Sequence, residues 1–117
     1  MDLRQLLTVL ALLAGLGAGA TSALAADGGD TPTFAVVAKD GRLSPERLEV
    51  PAGKRFKLSL RNEGRAPVEF ENLDLRVEKV LAPGASSFVV IRSLAPGSYK
   101  FVDEFHADTG QLLLIAK

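Results

Sequence analysis

The residues best equipped for chemistry lie in two short stretches. Tyr99 to Gly110 reads YKFVDEFHADTG and carries the only histidine, His106, three residues after Asp103. Pro67 to Lys79 reads PVEFENLDLRVEK and supplies Glu69, Glu71, Asp74 and Glu78. The chain has no cysteine, and its one methionine is Met1. A metal held by these residues would therefore have carboxylate oxygens and one imidazole as donors. Such a set suits Cu(II), Fe(III), Fe(II), Zn(II) or Mn(II) and not Cu(I), which wants thiolate or thioether. In the test tube the Irving–Williams order favours Cu(II). Carboxylates that converge repel one another without a cation, so their pKa values rise in the metal-free form. Metal affinity then depends on pH, and binding stabilises the fold.

Other chemistries find less support. No glycine-rich phosphate loop, nucleophile elbow or HExxH pattern occurs in the mature region. Serine, histidine and aspartate are all present, but no serine carries a signature of activation. Hard ligands are compatible with redox cycling, as in a ferroxidase, yet no substrate pocket or second redox centre can be read. Fourteen basic residues balance fourteen acidic ones. Nucleic acid and anionic membrane surfaces, which attract proteins with surplus positive charge, are not expected partners.

These residues need a scaffold. Residues 1–25 read as a secretory signal peptide: Arg4, an apolar run from Leu6 to about Ala20, then Ala23-Leu24-Ala25 as a small-x-small cleavage site. The run is roughly 15 residues, short of the ~20 that span a bilayer. The expectation is export to the periplasm with no membrane insertion after cleavage. Residues 26–32 form a polar lead-in, and 33–117 a single domain. Short apolar runs separated by turn signals indicate about eight strands and no long helix. They are 33–39, 47–50, 55–61, 68–71, 76–81, 86–91, 98–104 and 111–116. In RFKLSLR, Phe56, Leu58 and Leu60 alternate with polar residues, which gives one buried and one wet face. TFAVVAK, SSFVVI and QLLLIA are continuous apolar runs, expected well inside a sheet. LAPG at 81–84 and again at 94–97 suits a type II turn, with proline at the first corner and glycine at the second. The fold class is all-β, a Greek-key β-sandwich, with a small barrel as the alternative.

Strand alternation orients the acids without deciding their role. Tyr99, Phe101 and Asp103 share a face. An inward Asp103 needs a partner, which His106 supplies by curling back, or both bind a cation, or the strand has ended and Asp103 is wet. Glu69 and Glu71 share the face opposite Val68 and Phe70. They form either a solvated strand face or part of a ligand set. Glu78 is equally open to a cross-strand ion pair.

From RLSPERLEVPAGKRFKLSLRNEG through PGSYKFVDEFHADTGQLLLI the chain resembles the cupredoxins, over nearly all of the mature region. In that family a G-x-Y-x-F strand leads to a copper-binding cysteine, with a histidine three positions later. Gly97, Tyr99 and Phe101 match the strand, Asp103 takes the cysteine position and His106 the histidine position. Gln111 falls near the axial ligand. NEGRAPVEF brings Val68 or Glu69 near the first histidine. Without cysteine, a blue copper centre is excluded. PVEFENLDLRVEKVLAPG followed by PGSYKFVDEFH is similar to the cupredoxin-like domain of EfeO-type periplasmic iron-uptake proteins. That resemblance implies copper or iron binding near acidic residues, in support of uptake beside an inner-membrane permease or with another periplasmic metal-uptake protein. Its implied ligands are Glu69, Glu78, Asp103 and His106, with Glu71 and Glu104 secondary. The competing expectation is a metal-free sandwich that serves as an interaction module of a transport or export complex.

Overall fold

The computed structural model describes residues 31–117; the expected signal peptide and most of the lead-in lie outside the described residues. Among the described residues there are nine strands, one more than the sequence suggests. They are β1 (Thr33–Lys39), β2 (Arg42–Ser44), β3 (Arg47–Val50), β4 (Phe56–Asn62), β5 (Val68–Asn72), β6 (Val77–Leu81), β7 (Ser86–Ile91), β8 (Gly97–Asp103) and β9 (Gln111–Ala116). A single 3₁₀ turn, Glu104–His106, follows β8. No helix among the described residues is long and apolar enough to cross a membrane. The strands form two sheets, ordered β2-β1-β4-β7 and β3-β9-β8-β5-β6. β1 runs parallel to β4 and β3 parallel to β9, while the other pairs are antiparallel.

The core is the set of inward residues that alternation predicts. Phe56, Leu58 and Leu60 of β4 face Phe101, Leu112 and Leu114 of the other sheet, and all six are buried. Phe70 and Phe101 stack at 5.1 Å between centroids with planes 13° apart. Phe34 meets Phe56 edge-on at 6.0 Å. Such aromatic pairs add about 0.5–1.5 kcal/mol each beyond their burial.

The ninth strand, β2, is the return arm of a hairpin whose two-residue turn is Asp40-Gly41, both at positive φ (52° and 78°). An Asp-Gly pair with that backbone is a signature of two-residue hairpin loops, so the signal was present in the sequence. Two other expectations are corrected. SSFVVI is not interior: β7 is an edge strand, and its apolar residues alternate, with Val89 and Ile91 inward and Phe88 and Val90 exposed. Lys57 covers part of Phe88, its ammonium 4.1 Å from the ring centroid. LAPG at 81–84 does turn, with Ala85 N–H donating to Ala82 carbonyl at 3.0 Å and Gly84 at φ 77°. The second LAPG does not, because Gly97 opens β8 and pairs with Ala116.

Asn62 ends β4 in complete burial. Its amide donates to Ala66 carbonyl (2.8 Å) and Leu81 carbonyl (3.1 Å), and its oxygen accepts from Gly64 N–H (2.9 Å). One side chain thereby joins the β4–β5 loop to β6. Asn62→Ala strands buried polar groups, and we expect a loss of about 1–3 kcal/mol in chemical denaturation. An unchanged midpoint would show that water replaces the amide.

Candidate metal centre

Three elements bring acids together on the outer face of the five-stranded sheet. β5 pairs with β6 so that Glu71 lies directly opposite Glu78. Glu69 lies two residues from Glu71 and therefore on the same face. β8 pairs with β5 through Phe70↔Asp103 and Glu71↔Val102, and Glu104 follows directly. Glu69, Glu71 and Glu78 each place a carboxylate oxygen within 4.8 Å of the others. That spread matches opposite ligands of one ion with metal–oxygen bonds of about 2.0–2.5 Å.

The electrostatics of this group are unusual for a strand surface. Glu71 is only 6% exposed. Among the described residues its carboxylate enters no ion pair. Burial, then the neighbouring carboxyls of Glu104 and Glu69, push its pKa up to about 7. Glu69 is also raised, first by its hydrogen-bonding contact with Glu78 and then by burial. Glu78, open to a cross-strand ion pair on sequence grounds, instead faces a like charge. Two carboxyls side by side share a proton more readily than both ionise.

Asp103 and His106 stand elsewhere, at the end of the sandwich. Asp103 is inward and 1% exposed, so the wet reading of this residue is set aside. Its Oδ1 accepts from the backbone N–H of Glu69 and of Phe105, each at 3.1 Å. Its Oδ2 lies 2.9 Å from His106 Nδ1. His106 thus curls back onto Asp103 as one of the sequence readings had it. The loop is locked by Gly110, which donates to His106 carbonyl (2.7 Å) and whose carbonyl accepts from Asp103 N–H (2.8 Å). Thr109 Oγ1 donates to Gly41 carbonyl at 2.6 Å and ties this loop to the β1–β2 turn. The His106 ring packs so closely on Gly41 that a Cβ there would sit 3.1 Å from it. Glu69 and Glu78 therefore meet, with Glu71 as third member. Asp103 and His106 meet as a pair, and no group of three or more potential ligands among the described residues contains either. Glu71 was secondary in the sequence; its pairing with Glu78 depends on register, which composition does not reveal.

Two sheets of four and five strands, with a histidine-bearing loop between β8 and β9, make a two-sheet β-sandwich. The chain belongs to the cupredoxin-like domain family, whose model matches residues 7–114. An uncharacterized protein of Rickettsia prowazekii is 34% identical over 80 residues, which is 68% of this chain and 64% of that protein. The chain thus spans a little under two thirds of this relative. Auracyanin B superposes with a TM-score of 0.63 at 20% identity, over 76% of this chain and 92% of its own. Auracyanin A, a blue copper protein of Chloroflexus aurantiacus, gives 0.60 at 10% identity, over 75% and 100%. At these identities the structural likeness speaks for the fold. A thiolate copper centre does not fit this chain, which has no cysteine and, where the family resemblance implies one, an aspartate engaged in three hydrogen bonds. An oxygen-ligated hard cation does fit Glu69, Glu71 and Glu78.

Proposed function

We propose that this protein is a non-blue, metal-binding member of its family that holds a hard cation on the outer face of its larger sheet. The observation that carries this reading is Glu71: a residue 6% exposed as a whole, its carboxylate within 4.8 Å of two others and in no ion pair among the described residues. A buried acid without a counter-charge is costly to ionise, and a bound cation removes that cost. Glu69, Glu71 and Glu78 supply oxygen; Glu104, which raises Glu71, stands beside them as a further donor. Cu(II) is the tightest divalent candidate on chemical grounds, and iron in either oxidation state suits the same oxygens. The similarity of PVEFENLDLRVEK to EfeO-type domains supports a role in copper or iron handling in the periplasm, beside a membrane permease.

The test is a thermal titration of the metal-free protein with Cu(II), Fe(III) and Mn(II). We expect a melting temperature that climbs with cation concentration, as linkage requires, and no climb in Glu69→Gln or Glu78→Gln. A flat response to all three ions in the wild type would favour a metal-free interaction module.

A further inference from the structure

The Asp103–His106 pair has no obvious use on a surface whose donors are Glu69, Glu71 and Glu78. Its contacts give it one. Asp103 Oδ1 does not point at an open position; it holds the backbone N–H of Glu69 and of Phe105, the neighbour of Glu104. Glu69 and Glu104 are the acids that flank Glu71. Alternation puts the Glu69 side chain on the outer face while its backbone N–H is gripped from the inner one, and the same oxygen grips Phe105 in the 3₁₀ turn that Glu104 opens. Within the proposed metal-binding reading, on which this rests, we infer that Asp103 and His106 are positioning residues, and that the ligand set is all oxygen.

The division of labour follows from atom types. A carboxylate accepts at both oxygens. Oδ1 takes the two backbone donors, and Oδ2 faces His106 Nδ1 at 2.9 Å. Nδ1 is thus the donor, and the imidazole keeps the carboxylate from rotating. Gly110 backs the arrangement: a Cβ there would lie 2.8 Å from Asp103 Cβ, so the residue must be glycine for Asp103 to stand where it does. His106 is in turn wedged against Gly41. Strands β5 and β8, the 3₁₀ turn and the β1–β2 turn are cross-linked without any metal. In effect a hydrogen-bonded clamp stands where the family resemblance places two copper ligands, and it sets the spacing of carboxylates on the opposite face. Outer partners that orient ligands commonly affect affinity by about 10- to 100-fold.

Asparagine separates positioning from ligation. In Asp103→Asn, Oδ1 still accepts from both N–H groups, and the amide donates to His106 Nδ1, which becomes the acceptor in the other tautomer. The clamp survives while the negative charge is lost. The experiment uses the full chain with Cu(II) at or below one equivalent, read by calorimetry and by electron paramagnetic resonance. His106 is the only imidazole in the chain, so imidazole nitrogen couplings have a single possible source. We expect no such coupling in the wild type, affinity within about threefold of wild type in Asp103→Asn, and about 10- to 100-fold weaker binding in Asp103→Ala. Imidazole couplings that vanish in His106→Ala, or Asp103→Asn binding as poorly as Asp103→Ala, would overturn the inference and leave the carboxylate site standing. Affinity unchanged in both Glu69→Gln and Glu71→Gln would instead remove the carboxylate site and the inference with it. Should Asp103→Ala fail to fold, the wild-type spectrum and the asparagine variant still decide.

Discussion

Glu71→Gln is expected to make the metal-free protein more stable at pH 8 while weakening its hold on a cation. The sign follows from the raised pKa. In the folded chain Glu71 titrates at about 7, against an ordinary value of 4.5. Below pH 4.5 the carboxyl is protonated in both states and carries no penalty. Between about 4.5 and 7 the native state holds a proton that the unfolded state has released, so stability falls as pH rises. Above 7 both states are ionised, the loss is complete, and the curve flattens. Glu69 is raised too and contributes in the same direction. Glutamine keeps the shape and removes the charge, so the variant lacks Glu71's share of the decline. Chemical denaturation in chelator from pH 4 to 9 measures this directly. A wild-type protein that gains stability from pH 5 to 8, or a variant less stable than wild type at pH 8, would contradict it. Cations compete with the proton for the same oxygens, so wild-type affinity should rise steeply through pH 7. Glutamine should weaken binding by at least the roughly 10- to 100-fold that loss of an outer partner alone costs.

Phe101→Ala has the largest expected effect on the fold. Phe101 is fully buried and stacked on Phe70 across the β5–β8 contact. Truncating a buried phenylalanine costs about 3–5 kcal/mol through lost burial and the cavity left behind. Domains are commonly stable by only about 5–15 kcal/mol, so most of the margin would go. β8 also carries Asp103, two residues on and on the same face, so loosening its strand relaxes the clamp. Lys100→Ala on the exposed face of the same strand serves as the control, with a change within about 0.5 kcal/mol. Urea denaturation distinguishes the two. A Phe101→Ala protein within 1 kcal/mol of wild type would mean that the two sheets close over the gap.

How much of this was legible beforehand depended on the range of the interaction. The period-two alternation of Phe56, Leu58 and Leu60 is a local property, and their burial followed from it. Eight strands were readable because turn residues bracket each run. β2 was missed because three residues are too few to show a period, although Asp40-Gly41 marked its hairpin. The edge position of β7 was hidden, since Phe88 and Val90 are apolar yet exposed. Local composition cannot say whether a neighbouring strand covers them. The second LAPG failed for a similar reason: ladder pairing with β9 claimed Gly97 before a tight turn could.

The same boundary divides the site. By itself the sequence determined that no thiolate is available, that any metal must take oxygen or one imidazole, and that Glu69 shares a face with Glu71 while Asp103 shares one with Phe101. Those are consequences of residue type and of side chains alternating along a strand. Only the tertiary structure decided that Glu78 stands opposite Glu71 and that Asp103 grips the backbone of Glu69 from the other side. Both depend on how strands far apart in the chain align, and shifting that pairing by one residue reverses every face. Register is chosen by the packing of the whole core, so no short stretch of sequence contains it.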